Sequence, residues 1–180
     1  PQREFVKSNL TRGDYGLPEE AIIFCSFNQS YKISADEFEV WLELLRRVSN
    51  SVLWLLSSGD SDAIIRAKLR DRGFNENRVI FGEPLSVDKH LARLSAADIF
   101  LDSFVVNGHT SVSDALFAGL PVVTLPGSQF AARVGASLLK AAGCEDLIAR
   151  DRQDYLSKAL TLATEPNYLR AIKNHLTENL

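Results

Sequence analysis

The sequence contains no methionine, and its two cysteines, Cys25 and Cys144, stand far apart with no Cys-x-x-Cys pair and no Cys/His cluster beside either. That pattern speaks against a zinc site or a disulfide and for buried free thiols in a reducing compartment, so the expected location is cytoplasmic. A translation product ordinarily begins with methionine, so a chain starting at Pro1 reads as an excised piece of a longer protein. No run approaches the about 18 apolar residues of a membrane span, and the N-terminus lacks the charged-then-apolar pattern of a signal peptide. The formal net charge of −3 gives no electrostatic footprint for nucleic acid. Neither a membrane nor a nucleic acid is therefore an expected partner.

The usual nucleotide fingerprints are missing as well. No G-x-G-x-x-G follows the first apolar run and no G-x-x-x-x-G-K-[ST] occurs anywhere, which argues against a dinucleotide oxidoreductase and a P-loop enzyme. There is no G-x-S-x-G nucleophile elbow. A receiver-type signalling domain needs clustered acids after its first strand, where this chain has Asn28 and Gln29. Low-complexity segments and internal repeats are absent.

What remains is a chain of 180 residues, 46% of them hydrophobic, enough for one medium domain with a substantial core. Residues 1–20 are polar and turn-rich and read as a linker; residues 21–180 read as the folded lobe. Ala21 to Phe27 is a continuous apolar run, the mark of a strand covered on both faces. Ser34 with Glu37 three residues later signals a capped helix start, and Phe38, Trp41, Leu42 and Leu45 make its core stripe. Further strands are expected at Val52 to Leu56, Arg78 to Phe81, Asp98 to Asp102 and Val122 to Leu125. Helices are expected from about Asp62 to Asp71, from near Ser86, after the polar knot at residues 107–111, from about Ala131 to Ala142, and from near Asp151 and Asn167. Strands alternating with helices at this spacing predict an α/β fold, a doubly wound and mainly parallel Rossmann-like sheet.

In such a sheet, ligands collect beyond the carboxyl ends of the strands. Three polar loops fall there: residues 28–32, residues 84–93 and residues 107–114. In the last, a helix opening after Gly108 presents unpaired N–H groups and the positive end of its dipole, a natural anion site. Thr110 and Ser111 add hydroxyls and Asp114 an acceptor suited to a sugar, although either hydroxyl could equally be a simple N-cap. Gln29 and Lys32 bring a donor and a cation. His90 and Arg93 share one helix face, a placement that in isolation is more often plain surface than ligand contact. Asp98 reads as a surface residue starting its strand, and Asp102 as a turn former.

Several separated segments then add a resemblance: FNQSYKI at residues 27–33, SVLWLL at 51–56, VIFGEP ahead of His90, NGHTSVSD at 107–114, AGLPVVTLPG, AARVGASLL and AGCEDLIA. In this order, and over about residues 15–155, they are similar to the C-terminal catalytic lobe of the O-linked N-acetylglucosamine transferases. The resemblance implies one Rossmann-like lobe of a two-lobed, GT-B type glycosyltransferase, with an N-terminal catalytic lobe and tetratricopeptide repeats elsewhere in the parent chain. It implies transfer of N-acetylglucosamine from UDP-N-acetylglucosamine to Ser or Thr of an acceptor protein, with inversion, with no metal and no other cofactor. By motif, Gln29 and Lys32 would lie against the diphosphate, Lys32 stabilising the leaving group. His109, Thr110 and Ser111 would hold its other side, and Asp114 the ribose. His90 would stack on uracil, Arg93 hydrogen-bond it, and the main chain of Leu85, Ser86 and Val87 add contacts. Two positions depart from the family pattern: Ser111 replaces a threonine, and Val87 a lysine. A relative using GDP-fucose or a UDP-hexose, and a nucleotide-binding or scaffold module without transfer activity, are the alternatives. No residue reads as the general base.

Overall fold

The computed structural model describes residues 10–179. Five strands, β1 (Ile22–Ser26), β2 (Ser51–Leu56), β3 (Val79–Gly82), β4 (Ile99–Leu101) and β5 (Val122–Val123), form one sheet in the order β3-β2-β1-β4-β5. Every pairing is parallel, with Phe24 opposite both Leu53 and Ile99, and Phe100 opposite Val122. The helices are α1 (Ala35–Arg47), α2 (Asp60–Asp71), α3 (Val87–Leu94), α4 (Thr110–Phe117), α5 (Val134–Ala141), α6 (Arg152–Thr164) and α7 (Pro166–Asn179). The α/β, doubly wound, Rossmann-like expectation is met, with the strand order reversing between β1 and β4.

The apolar runs explain this arrangement. Ile23, Phe24 and Cys25 on β1, Leu53 and Trp54 on β2, and all of β4 are buried whichever way their side chains alternate, so helices must cover both faces. On α1 the predicted stripe of Phe38, Trp41, Leu42 and Leu45 is buried, and the helix packs against α6. Burying each such side chain contributes about 1.5–3 kcal/mol, which outweighs any local propensity. At its start, the Ser34 hydroxyl accepts from the Glu37 N–H at 3.2 Å while Glu37 Oε2 accepts from the Ser34 N–H at 3.3 Å, both halves of the expected capping box.

The structure departs from expectation in four places. Residues 10–20, read as linker, run over the domain: Leu17 is buried, the Tyr15 ring lies 5.3 Å from that of Trp54, and Arg12 donates to the carbonyls of Ala21 and Ala96. Asp98 is no surface residue. It is 8% exposed, accepts from the Ile23 N–H at 2.9 Å, and pairs with Arg12 at 2.8 Å and Lys173 at 3.0 Å, contacts from far along the chain that local pattern does not reveal. The predicted strand 98–102 shrinks to its three apolar residues, although the N–H groups of both flanking aspartates still donate to neighbouring strands, Asp98 to the Ile23 carbonyl at 2.9 Å and Asp102 to the Val123 carbonyl at 3.0 Å. The helix expected from Ala131 opens only at Val134, since Phe130–Ala132 forms a 3-10 turn whose Ala132 carbonyl accepts from the Gly127 N–H at 2.7 Å.

Candidate functional site

The three polar loops all leave the carboxyl edge of the sheet, after β1, β3 and β4, and side-chain contacts join them. Asn28, the first loop residue after Phe27, is 4% exposed. Its Oδ1 accepts from the Ser111 hydroxyl at 2.5 Å, and its Nδ2 donates to Ser103 Oγ at 2.5 Å, binding the β1 loop to both sides of the β4 loop. Phe27 faces the other way: the His90 ring sits edge-on to it at 5.3 Å, and the Arg93 guanidinium lies 4.1 Å over it. The β1 loop is thus the middle piece, with the β3 loop on one side and the β4 loop on the other.

The knot owes its shape to a buried carboxylate. Asp102, fully buried at the end of β4, accepts from the Gly108 N–H at 2.7 Å, the Ser103 N–H at 2.9 Å and the Thr124 hydroxyl at 2.6 Å. Burial raises its pKa to about 6, and those donors, with Asn28, pull against the rise, so it is charged at neutral pH. Asn107, also fully buried, donates to the Ser103 carbonyl at 2.7 Å and accepts from the Gly135 N–H at 3.2 Å. A Cβ on Gly108 would lie 2.7 Å from Asn28 Oδ1, so glycine is required where the loop passes the β1 loop. From the far face, Tyr155 of α6 donates to the Asp102 carbonyl at 3.1 Å, and its ring packs edge-on to Phe104.

This scaffold leaves the start of α4 open. The preceding residue is His109, with no side-chain cap, and the first turn holds no acid. Neither hydroxyl serves as the N-cap: Thr110 is exposed, and Ser111 turns to Asn28. Side-chain caps close α1 and α6, from Ser34 and Asp151, whereas α4, like α2, α3 and α5, has none; of these uncapped starts, α4 is the one that follows β4 beside the β1 loop. His109 is exposed, its Nε2 3.4 Å from the Ala131 carbonyl. Asp114, one turn into α4, is 5% exposed.

On the β1 side, Gln29 is exposed and opens the 3-10 turn Ser30–Lys32. Lys32 is half-buried at the end of that turn and meets no carboxylate among the described residues. A cation at this position with no carboxylate partner among the described residues is suited to a ligand's negative charge.

The β3 side presents a different chemistry. Leu85, Ser86 and Val87 are exposed, with Ser86 at the uncapped start of α3. Arg93 is 2% exposed, where the bare pattern favoured surface; it donates to the Glu83 carbonyl at 2.6 Å and from Nε to His90 Nδ1 at 3.0 Å. The second bond fixes the tautomer: Nδ1 accepts, so the proton of the neutral ring is on Nε2. Burial, then the Arg93 charge, lower the His90 pKa to about 4, against a smaller opposing pull from Asp114 on α4, which packs against α3. His90 is therefore a neutral, flat ring held at a set angle.

Sequence reading placed Asn28 and Asn107 in the polar loops without a role and Asp102 as a turn former, and it missed Ser103 and Thr124; all five are buried. Their one signal is position: polar residues directly after an apolar strand, where a loop must be held. Glu37 was read only as a cap; its Oε2 also accepts from the Phe104 N–H at 3.3 Å, tying α1 to the β4 loop. Among the described residues no group of three or more His, Cys, Asp or Glu side chains is placed to hold a metal ion, and no helix is long and apolar enough to cross a membrane.

The profile of the family described as Glycosyl transferase family 41 matches residues 3–179. The chain belongs to that family. Family 41 relatives include the UDP-N-acetylglucosamine-peptide N-acetylglucosaminyltransferase of Caenorhabditis elegans, 39% identical over 88% of this chain and 14% of the relative. The enzyme of that name from Giardia intestinalis is 33% identical over 93% of this chain and 12% of its own length. The chain thus spans a small part of these relatives. A mutant O-GlcNAc transferase from Thermobaculum terrenum superposes with a TM-score of 0.84 at 28% identity, covering 88% of this chain and 31% of that one. The family resemblance and the GT-B type fold read from the sequence both stand.

Proposed function

We propose that this chain is the donor-binding lobe of a protein O-glycosyltransferase that moves N-acetylglucosamine from UDP-N-acetylglucosamine to Ser or Thr hydroxyls of an acceptor protein. The observation that carries the reading is the uncapped, acid-free start of α4 at the switch point, beside a loop that offers the cation Lys32, which meets no carboxylate among the described residues. The names of the family 41 relatives supply the donor and the peptide acceptor.

The residues divide the donor between them. The α4 N–H groups, Thr110 and His109 take one side of the diphosphate, and Gln29 and Lys32 the other. His90 gives the uracil a neutral face to stack on, with the exposed main chain of residues 85–87 beside it. Arg93 acts on the base through the His90 ring and the Glu83 carbonyl that it holds. Asp114 is the ribose acceptor. As the glycosidic bond breaks, negative charge grows on the departing UDP, and Lys32 with the α4 dipole stabilises it without reorganising. Inversion, and chemistry without a metal or other cofactor, are parts of the proposal taken from the resemblance. The acceptor and general base belong to a partner lobe, and tetratricopeptide repeats to the same parent chain. A cytoplasmic site of action fits the buried free thiols Cys25 and Cys144.

Isothermal titration calorimetry of the full-length protein with UDP, UDP-N-acetylglucosamine and GDP tests this reading. Selective binding of the two uridine ligands is expected. Preference for GDP would transfer the assignment to a GDP-sugar enzyme, and a folded protein that binds none of the three would refute a donor site.

A further inference from the structure

The proposed diphosphate site has two halves on separate loops, Gln29 to Lys32 after β1 and the α4 start after β4, and anion binding depends on the gap between them. One side chain spans that gap. Asn28 immediately precedes Gln29 and is buried; it accepts from Ser111 in the first turn of α4 and donates to Ser103 at the base of the β4 loop, both at 2.5 Å. It also contributes to keeping Asp102 charged, and Asp102 in turn holds the Gly108 N–H. The Ser111 hydroxyl has one proton, and that proton lies in the bond to Asn28, so it is not available to donate to a phosphate. Gly108 closes the arrangement, since no larger residue fits beside Asn28 Oδ1.

We propose that Asn28 is a positioning residue that sets the separation of the two halves of the anion site, and that the Ser111 side chain serves this clamp and does not donate to the phosphate. The proposal rests on the donor-site reading above. A misplacement of about 1 Å between such groups is costly because charge-assisted bonds and dipole contacts both fall off steeply with distance.

The test is a double-mutant cycle in the full-length protein, Asn28→Ala and Ser111→Ala singly and together, read as UDP affinity under conditions where every variant is folded. If the two side chains act as one clamp, each single change weakens UDP by about tenfold and the double change weakens it no further. Ser111→Thr, which restores the hydroxyl, recovers most of the loss seen in Ser111→Ala. Global stability does not move an affinity measured on folded protein, so a merely structural Asn28 would leave UDP binding unchanged and overturn the proposal. Losses that multiply in the double variant would overturn it too, because Ser111 would then bind phosphate on its own account. Should Asn28→Ala not fold, Asn28→Ser takes its place in the cycle. Wild-type protein that fails to bind UDP would refute the donor reading itself and the clamp with it; binding with multiplied losses refutes the clamp alone.

Discussion

Removing the Asp102 carboxylate while keeping its shape separates two things that this residue does. In Asp102→Ala, the Gly108 N–H, the Ser103 N–H and the Thr124 hydroxyl lose their acceptor inside a fully buried pocket. Bonds to a charged group contribute about 1.5–3 kcal/mol each, and part of that is returned because the buried charge has gone as well. A net loss of about 3–5 kcal/mol is expected, a large share of the roughly 5–15 kcal/mol that holds a domain together. In Asp102→Asn, the oxygen facing Gly108 and Ser103 is kept, and the Thr124 hydroxyl turns to accept from the new NH₂ group, so the loss is about 1 kcal/mol. Urea denaturation reads both: with a slope near 2 kcal/mol per molar, the midpoint falls by about 1.5–2.5 M for Ala and about 0.5 M for Asn. Equal losses in the two variants would show that charge, not acceptor geometry, holds the knot, and the reasoning would fail. An Ala variant within about 1 kcal/mol of wild type would refute the premise that the loop hangs on this residue.

Burial raises the Glu37 pKa to about 7 from 4.5. The folded state therefore holds a proton that the unfolded chain has lost between those values, and this group's contribution is fully present below pH 4.5 and lost as pH rises through 7. The fall is at most about 3 kcal/mol, and Glu37→Gln should flatten it in urea titrations from pH 4.5 to 8; an unchanged slope would show that Glu37 titrates normally. Lys32→Ala in the full-length enzyme should lower kcat by about ten- to a hundredfold, the value of one charge-assisted contact in the transition state, and normal turnover would remove Lys32 from the mechanism. His90→Ala should weaken UDP by about five- to a hundredfold through lost stacking. Wild-type UDP affinity should show no His90 titration between pH 6 and 8, because the ring is already neutral there; a step near pH 6.5 would contradict the packing of Arg93 against it.

The fold was legible in the sequence because its signals are local. Apolar runs such as Ala21 to Phe27 and the 3.6-residue stripe of α1 specify strand and helix without knowledge of distant residues. The knot at residues 107–111 was legible as a glycine turn opening a helix for a similar reason, and α4 does open at Thr110; the local pattern left an anion site and a plain N-cap equally open. The groups that hold the knot were not legible, because their role is defined by partners 22 to 83 residues away, as with Thr124 for Asp102 and Ser111 for Asn28. Arg93 shows the opposite error. A charged residue on a helix face is ordinarily solvated, and only the ring of Phe27 and the Glu83 carbonyl make its burial affordable.

The site therefore sorts its polar groups into two populations by burial. Asn28, Asp102, Ser103 and Asn107 are buried, and their bonds run to one another, to backbone N–H and carbonyl groups, and to the hydroxyls of Ser111 and Thr124. Gln29, His109 and Thr110 are exposed, and Lys32 is half-buried with no carboxylate partner among the described residues. The division has a physical cause. A donor that is to meet a developing charge must be fixed before the charge appears, yet it cannot be satisfied by the protein, or it would have to break a bond first. Fixing it needs a rigid support, and a rigid polar loop outside regular structure needs its own acceptors, which are strongest when buried and charged. Asp102 meets that need because the strand end is dry and three donors converge on it. The same logic places the support at the β1–β4 boundary, where the two crossovers leave in opposite directions and a single side chain, Asn28, can reach both loops.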